Sequence, residues 1–141
     1  MSLNEESLAE YVLLSVRKPS IAEYPTDLEW ICRTFGFLEL RDKQKTAYLI
    51  FKALVEANVH NDGLTSDELA EKLNLTRGTM IHHLNKMMKS GLVIFHGSKY
   101  KLRERSLKNT VEEVQRDLNR VFEDIFGIAE HVDHTLGLIS R

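Results

Sequence analysis

The side chains best suited to recognising another molecule fall in residues 76–103 of this 141-residue chain. Arg77 and Asn85 are residue types that can make paired hydrogen bonds to one base edge, arginine to guanine and asparagine to adenine. Lys86 and Lys89 carry charges that suit phosphate groups, which position a protein on nucleic acid without specifying a sequence. The stretch therefore predicts a surface that recognises a nucleic acid.

Charge is distributed unevenly along the chain, although the formal net charge is only −2. Of the 19 basic and 21 acidic residues, eight basic and one acidic residue fall within 72–105, which leaves 11 and 20 elsewhere. Such an asymmetry is typical of a polyanion-binding patch on an otherwise acidic molecule. Charge alone leaves a simpler interpretation open, which is a solvated charged surface.

Hydrophobic periodicity and capping signals predict the elements that hold these side chains. Capping boxes, in which a threonine and a glutamate three residues later satisfy free amides, are predicted at 26–29 and 65–68. A tight two-residue turn containing Gly97 is expected within a β-hairpin. The order of helices followed by a hairpin predicts a mainly α winged helix-turn-helix. The expected helices are at about 5–16, 26–35, 42–58, 65–73, 76–90 and 106–136, and the expected strands are at 92–95 and 99–103.

The helix predicted at 76–90 has two dissimilar sides. Met80, Leu84 and Met87 recur at helical spacing and are expected to pack on the preceding helices, as the second helix of a helix-turn-helix must. On the opposite side Ile81 could touch a thymine methyl group, and the other residues are polar or small. On the return strand basic residues alternate with inward apolar ones and should face outward. The predicted DNA contacts are Thr76, Arg77, Gly78, Thr79, Ile81, His82, Asn85, Lys86 and Lys89 on the helix, and Lys99, Lys101 and Arg103 on the wing.

Segments 69–76 and 79–87 resemble the helix-turn-helix of the arsenic-repressor (ArsR) class of transcriptional regulators. The stretch 90–93 resembles the turn after the recognition helix of that class, and the MarR class has a similar pattern. The resemblance covers about 41–103. It implies sequence-specific binding of double-stranded DNA by a dimeric regulator. One position departs from the ArsR pattern, because Ile81 stands where that class usually has a small polar residue. Winged helices also serve as protein-interaction modules, so a scaffold that does not read DNA sequence is the alternative.

The resemblance also bears on metals. Metal sensors of the ArsR class that use the C-terminal helix pair an H-x-x-H motif with an upstream D-x-H motif. His131 and His134 match the first motif, but Leu118 and Arg120 occupy the positions of the second. Cys32 is the only cysteine, so the thiolate pair of the arsenic sensors is missing. We therefore predict no metal site and no cofactor, with a histidine-only site as the alternative.

The C-terminal part of the chain carries a heptad pattern of apolar residues with spacings of 4, 3, 4, 3, 4, 3 and 4. A helix over 106–136 would be about 45 Å long, more than a small winged domain can cover. A second copy of the chain is the expected partner, and folding back over the first two helices is the alternative. Phe122 and Phe126 lie outside the pattern and are expected to pack on another element. We call the following residues the apolar seam: Leu107, Val111, Val114, Leu118, Val121, Ile125, Ile128 and Val132.

Three regions follow from these patterns: residues 1–40, helices that join the dimer core; 41–104, the winged-helix DNA-binding domain; and 105–141, the coiled-coil dimerisation helix. The first region contains the only tryptophan, Trp30, and could instead line an effector pocket, so the effector is left undetermined. No nucleophile–base pairing, phosphate loop or catalytic carboxylate pair is evident. No stretch approaches the roughly 18 to 20 apolar residues of a membrane span, and a lone cysteine suits a reducing compartment. We predict a cytoplasmic regulator that is not an enzyme and whose partners are double-stranded DNA and a second copy, with no membrane.

Overall fold

The computed structural model describes residues 9–39 and 41–139. It confirms the predicted fold class, a mainly helical winged helix-turn-helix with a two-stranded wing and a long C-terminal helix. The elements are α1 (Tyr24–Thr34), α2 (Thr46–Ala57), a 3-10 turn (Asn58–His60), α3 (Ser66–Leu73), α4 (Arg77–Lys89), β1 (Val93–His96), β2 (Lys99–Leu102) and α5 (Leu107–Leu136).

Helix α2 lies at the centre of the hydrophobic core. It contacts α1, α3, α4 and β2, and Ile50, Phe51 and Leu54 have no exposed surface. The helix begins later than the sequence predicts, because Lys45 adopts a left-handed conformation with φ 53°. The Asp42 carboxylate then accepts a hydrogen bond from the Thr46 amide at 3.0 Å.

The helix predicted over 5–16 is not formed in its described part, from residue 9 onward, and its first residues lie outside the described part of the chain. The backbone amide of Glu10 donates to the Lys89 carbonyl at 2.9 Å, and that of Leu14 donates to the Thr34 carbonyl at 2.8 Å. Because these bonds join the segment to the ends of α4 and α1, tertiary contacts satisfy amides that a helix would have bonded internally. We call residues 9–20 the N-terminal segment.

The first turn of α1 also differs from the sequence prediction. Thr26 does not cap the helix, since α1 begins two residues earlier at Tyr24 and Pro25 lies in its first turn. Proline is tolerated there because amides of the first turn have no partner within the helix. At the other end Gly36 has φ +75°, and a Cβ on it would come within 2.8 Å of Val12 Cγ1. Glycine therefore allows both the chain reversal and the close approach of the N-terminal segment.

The wing is an antiparallel hairpin whose two turn residues, Gly97 and Ser98, have φ values of 58° and 67°. Positive φ at both positions is the geometry that matches the twist of paired strands. The wing is joined to the loop that precedes α3 by reciprocal backbone hydrogen bonds between Leu64 and Tyr100, at 2.9 and 2.8 Å. A Cβ on Gly63 would lie 2.6 Å from the Tyr100 carbonyl, so this position requires glycine.

Helix α5 begins with a cap in which the Ser106 hydroxyl accepts a hydrogen bond from the Asn109 amide at 3.0 Å. It ends at Gly137, which has φ 72°. Phe122 and Phe126, expected to pack on another element, are instead exposed and lie beside each other with ring centroids 6.0 Å apart. Within the described residues no helix combines the length and apolar character needed to cross a membrane.

Candidate nucleic-acid interface

A short turn between α3 and α4 places the start of α4 at the surface. The Thr65 hydroxyl accepts from the Glu68 amide at 3.0 Å and the Glu68 carboxylate accepts from the Thr65 amide at 3.4 Å, so this predicted capping box is confirmed. Asn74, with φ 53°, ends α3. The Thr76 hydroxyl then caps α4 by accepting from the Thr79 amide at 3.2 Å. All three devices are local, which is why the sequence predicts this pair of helices well.

Helix α4 has one buried face and one exposed polar face. Met80, Leu84 and Met87 have no exposed surface, as predicted. A Cβ added to Gly78 would meet nothing within 4 Å, so the backbone itself is open to solvent there. Such a face can enter the major groove of B-DNA, which is wide enough to admit a helix. The predicted contacts that are exposed on it are Thr76, Arg77, Gly78, Thr79, His82, Asn85, Lys86 and Lys89.

Ile81 differs from its neighbours on α4. It is partly buried and packs against the hydrophobic core. Only part of the side chain is therefore available at the surface, whereas His82 beside it is exposed. Contact with a thymine methyl group stays a prediction for the exposed part.

Arg77 forms an ion pair with Asp67, which lies in the first turn of α3. The hydrogen bond from the guanidinium to this carboxylate raises the pKa of Arg77. Both side chains are largely exposed, so the pair adds little to stability, and its effect is to orient the guanidinium at the start of α4. Asp67 was not among the residues predicted from the sequence. The available signal was that both residues stand at the starts of two helices joined by a short turn.

Two further cations of the predicted interface are paired with acids from outside the basic segment. Lys99 Nζ lies 2.9 Å from Asp62 Oδ1, and this hydrogen bond lowers the pKa of Asp62. Lys89 Nζ lies 3.6 Å from Glu10 Oε1. Acidic side chains from outside the basic segment therefore offset part of the positive charge of three predicted contacts, Arg77, Lys89 and Lys99.

Arg103 does not point away from the protein, as the strand alternation had predicted. Its Nη1 lies 2.5 Å from Asp117 Oδ2 on α5, and Glu113 is 3.9 Å from the same guanidinium. The hydrogen bond from Arg103 lowers the pKa of Asp117. Strand β2 ends at Leu102, so alternation no longer governs the direction of the next residue. Lys99 and Lys101 stay partly exposed on the wing.

A polar recess of about 280 Å³ lies between α4 and the segment that precedes α2. Burial lowers the pKa of His83, and the neighbouring His82 acts in the same direction. Elsewhere in the protein, burial in the hydrophobic core raises the pKa of the Cys32 thiol to about 12, which keeps this thiol protonated. Among the residues that the structure describes, no three or more His, Cys, Asp or Glu side chains are grouped to hold a metal ion. The recess is lined by Phe37, Glu39, Arg41, Asp42, Thr46, His82, His83 and Lys86.

The segment that forms this interface also resembles a known family. Residues 45–94 match a family described as winged helix-turn-helix DNA-binding. The match runs from the start of α2 into β1 and includes the whole of α3 and α4. Comparisons with curated proteins and with solved structures give no significant match. Residues 45–94 are therefore similar to winged helix-turn-helix domains that bind DNA.

Proposed function

We propose that this protein is a homodimeric transcriptional regulator, similar to those of the ArsR class, that binds specific sequences of double-stranded DNA. The observation that carries the proposal is the exposed face of α4, polar and with a bare backbone at Gly78, within a domain of the DNA-binding winged-helix kind. The buried residues of the same helix fix that face outward.

In the proposed complex α4 lies in the major groove. Arg77 and Asn85 contact base edges, because each can form a bidentate hydrogen-bonded pair. Lys86 and Lys89 contact phosphates, which fix the register of the helix on the duplex. The wing lies over the flanking backbone, where Lys99 and Lys101 are the proposed contacts. Arg103 is left out of this set because Asp117 and Glu113 of α5 both bind its guanidinium and the side chain is only 27% exposed, whereas that of the paired Arg77 is 69% exposed.

The proposal is tested by selecting bound sequences from a pool of random duplexes. A dimer should enrich a palindrome whose half-sites are about one helical turn apart. Binding should also depend steeply on salt. A protein that neutralises about 6 to 10 phosphates loses about 10³-fold to 10⁵-fold in affinity when the salt concentration rises from 50 to 200 mM. A pool without enrichment, together with binding that ignores salt, would contradict the proposal.

The variant Arg77→Ala with Asn85→Ala separates base recognition from general attraction to DNA. We expect the preference for the selected duplex over a scrambled one to fall by about tenfold or more, because a bidentate base contact is worth about 1 to 3 kcal/mol. Non-specific, salt-dependent binding should remain. Arg116→Ala, an exposed arginine on α5, is the matched control and should leave the preference unchanged. A double variant that keeps every DNA property would instead favour a protein-interaction scaffold.

A further inference from the structure

An apolar groove of about 740 Å³ runs along the first half of α5. The N-terminal segment and α1 form its other walls, through residues such as Leu13, Ile31 and Phe35. Its lining also includes the first four residues of the apolar seam, from Leu107 to Leu118. These four are partly or fully buried by their own chain, and Val114 is only 2% exposed. The first half of the seam therefore already has one side packed and a groove beside it.

The second half of α5 has no such cover among the described residues. Ile125, Phe126 and Ile128 are 50%, 66% and 69% exposed, and the remaining apolar residues of this half are exposed as well. Contiguous exposed apolar surface of this kind marks an interaction site. A partner that covers this face needs an apolar surface about as long as half of this helix.

The groove on a second copy of the chain meets that requirement. The groove accompanies α5 over residues 107–122, and the exposed face covers 121–136. At 1.5 Å per residue each stretch is about 22 Å long. The spacings between successive residues of the seam are the same whether they are counted from its first residue or from its last. The midpoint of the seam lies between Leu118 and Val121. A two-fold axis through that midpoint places the exposed half of each helix over the groove of the other copy.

This arrangement sets each residue of the seam level with one residue of the second copy, in the register of an antiparallel coiled coil. Val114, which is only 2% exposed, keeps its contacts within its own chain. In the outermost layer Leu107 faces the partner's Val132. In the next layer Val111 faces the partner's Ile128. Parallel pairing would set the two exposed halves against each other and leave both grooves open.

We propose that two copies of this chain pair through antiparallel α5 helices, each covering the apolar groove of its partner with its exposed C-terminal half. The inference rests on the homodimer in the proposed function and adds its geometry. An isologous contact of this kind is closed, so it ends at the dimer and does not build a filament.

The test is the distance between spin labels on the two copies, measured by double electron–electron resonance on the full chain. Single cysteines are introduced at Glu123 and His134, which are exposed, while Cys32 is buried and its thiol stays protonated. In the antiparallel dimer the His134→Cys labels should lie about 45 Å apart and the Glu123→Cys labels about 20 Å apart, given the helical rise and the usual spacing of packed helices. A parallel dimer would give similar short distances, about 20 Å, at both sites.

Light scattering on the same samples gives the molar mass at micromolar concentration. A monomer, or equal distances at the two sites, would overturn the inference. Binding of the labelled protein to the selected duplex is measured separately. Equal distances with intact sequence preference would refute only this geometry, whereas the antiparallel distances with no preference for any duplex would refute only the proposed DNA recognition.

Discussion

At the scale of single residues, Asp67 holds Arg77 at the start of α4. Replacing it by asparagine removes the orienting charge and also a negative group from the side of the protein that faces DNA in the proposed complex. We expect Asp67→Asn to raise affinity for scrambled duplex while lowering the preference for the selected duplex by up to about tenfold, part of the value of one bidentate contact. Competition binding with both duplexes measures the ratio.

A control for Asp67→Asn is available at an equivalent position. Asp27 is an exposed aspartate in the first turn of α1, so Asp27→Asn changes the same charge at a helix start away from α4. It should leave the ratio of affinities as in the wild type. If Asp67→Asn also left it unchanged, Asp67 would have no part in positioning Arg77.

At the scale of single residues, part of the site could be predicted from the sequence. The exposed and buried sides of α4 followed from periodicity, because a helix fixes the direction of each residue relative to its neighbours. Asp67 and Asp62 could not be assigned, since their contacts depend on how two elements pack. Arg103 was expected to face outward, which is wrong. The rule of alternation fails once a strand has ended, and here the chain turns toward α5.

At the scale of elements, the pair between Arg103 and Asp117 joins the end of the wing to α5. Both side chains are mostly buried, with 27% and 18% of their surface exposed. Asp117→Asn should lower the free energy of unfolding by about 1 to 2 kcal/mol at pH 7, the range for a hydrogen bond to a charged group that keeps some solvent contact. Urea denaturation of variant and wild type measures the difference.

The pH dependence of that difference follows from the lowered pKa of Asp117. A lowered folded-state pKa means that the stabilisation is present above the unfolded value of about 3.9 and is lost as the pH falls through the folded value. The gap between variant and wild type should therefore shrink in strong acid. Asp124→Asn, one heptad further along α5 and exposed, should cost little at any pH. A gap that persists unchanged below pH 3 would exclude the ion pair as its cause.

The elements whose sequence signals lie within a few residues of one another were predicted best. The capping residues of α3 and α4 and the hairpin turn act over a few residues, so their sequence signals suffice. The N-terminal segment was misassigned because Tyr11 and Val12 have helical spacing with their neighbours, yet its amides bond to the ends of α1 and α4. No local pattern records that competition.

For the whole molecule, the length of α5 followed from its heptad repeat, but the division of the seam did not. Periodicity shows that one side of the helix is apolar along its full length. It does not show that the rest of the chain buries only the first half. That division depends on where the rest of the chain packs. It makes the exposed half of α5 in one copy a candidate to contact the first half of α5 in a second copy.

The exposed half of the seam gives a test that links the dimer to DNA binding. Ile125→Asp with Ile128→Asp changes residues that are 50% and 69% exposed, so the single chain should keep its circular dichroism spectrum. A dimer would have to bury four unpaired carboxylates, which is strongly unfavourable. We expect a folded monomer by light scattering at micromolar concentration.

Anisotropy titrations with duplexes that carry one or two half-sites then measure the consequence for recognition. The double variant should bind the single half-site as the wild type does, because α4 and the wing are untouched. For the duplex with two half-sites it should lose the gain from linking two binding events, about 10² to 10⁴ in affinity. Val59→Asp, another exposed apolar residue, controls for the added charge and should behave as wild type in both titrations. A double variant that remains dimeric, or that loses affinity equally for both duplexes, would show that the exposed half of α5 does not join the two DNA-binding domains.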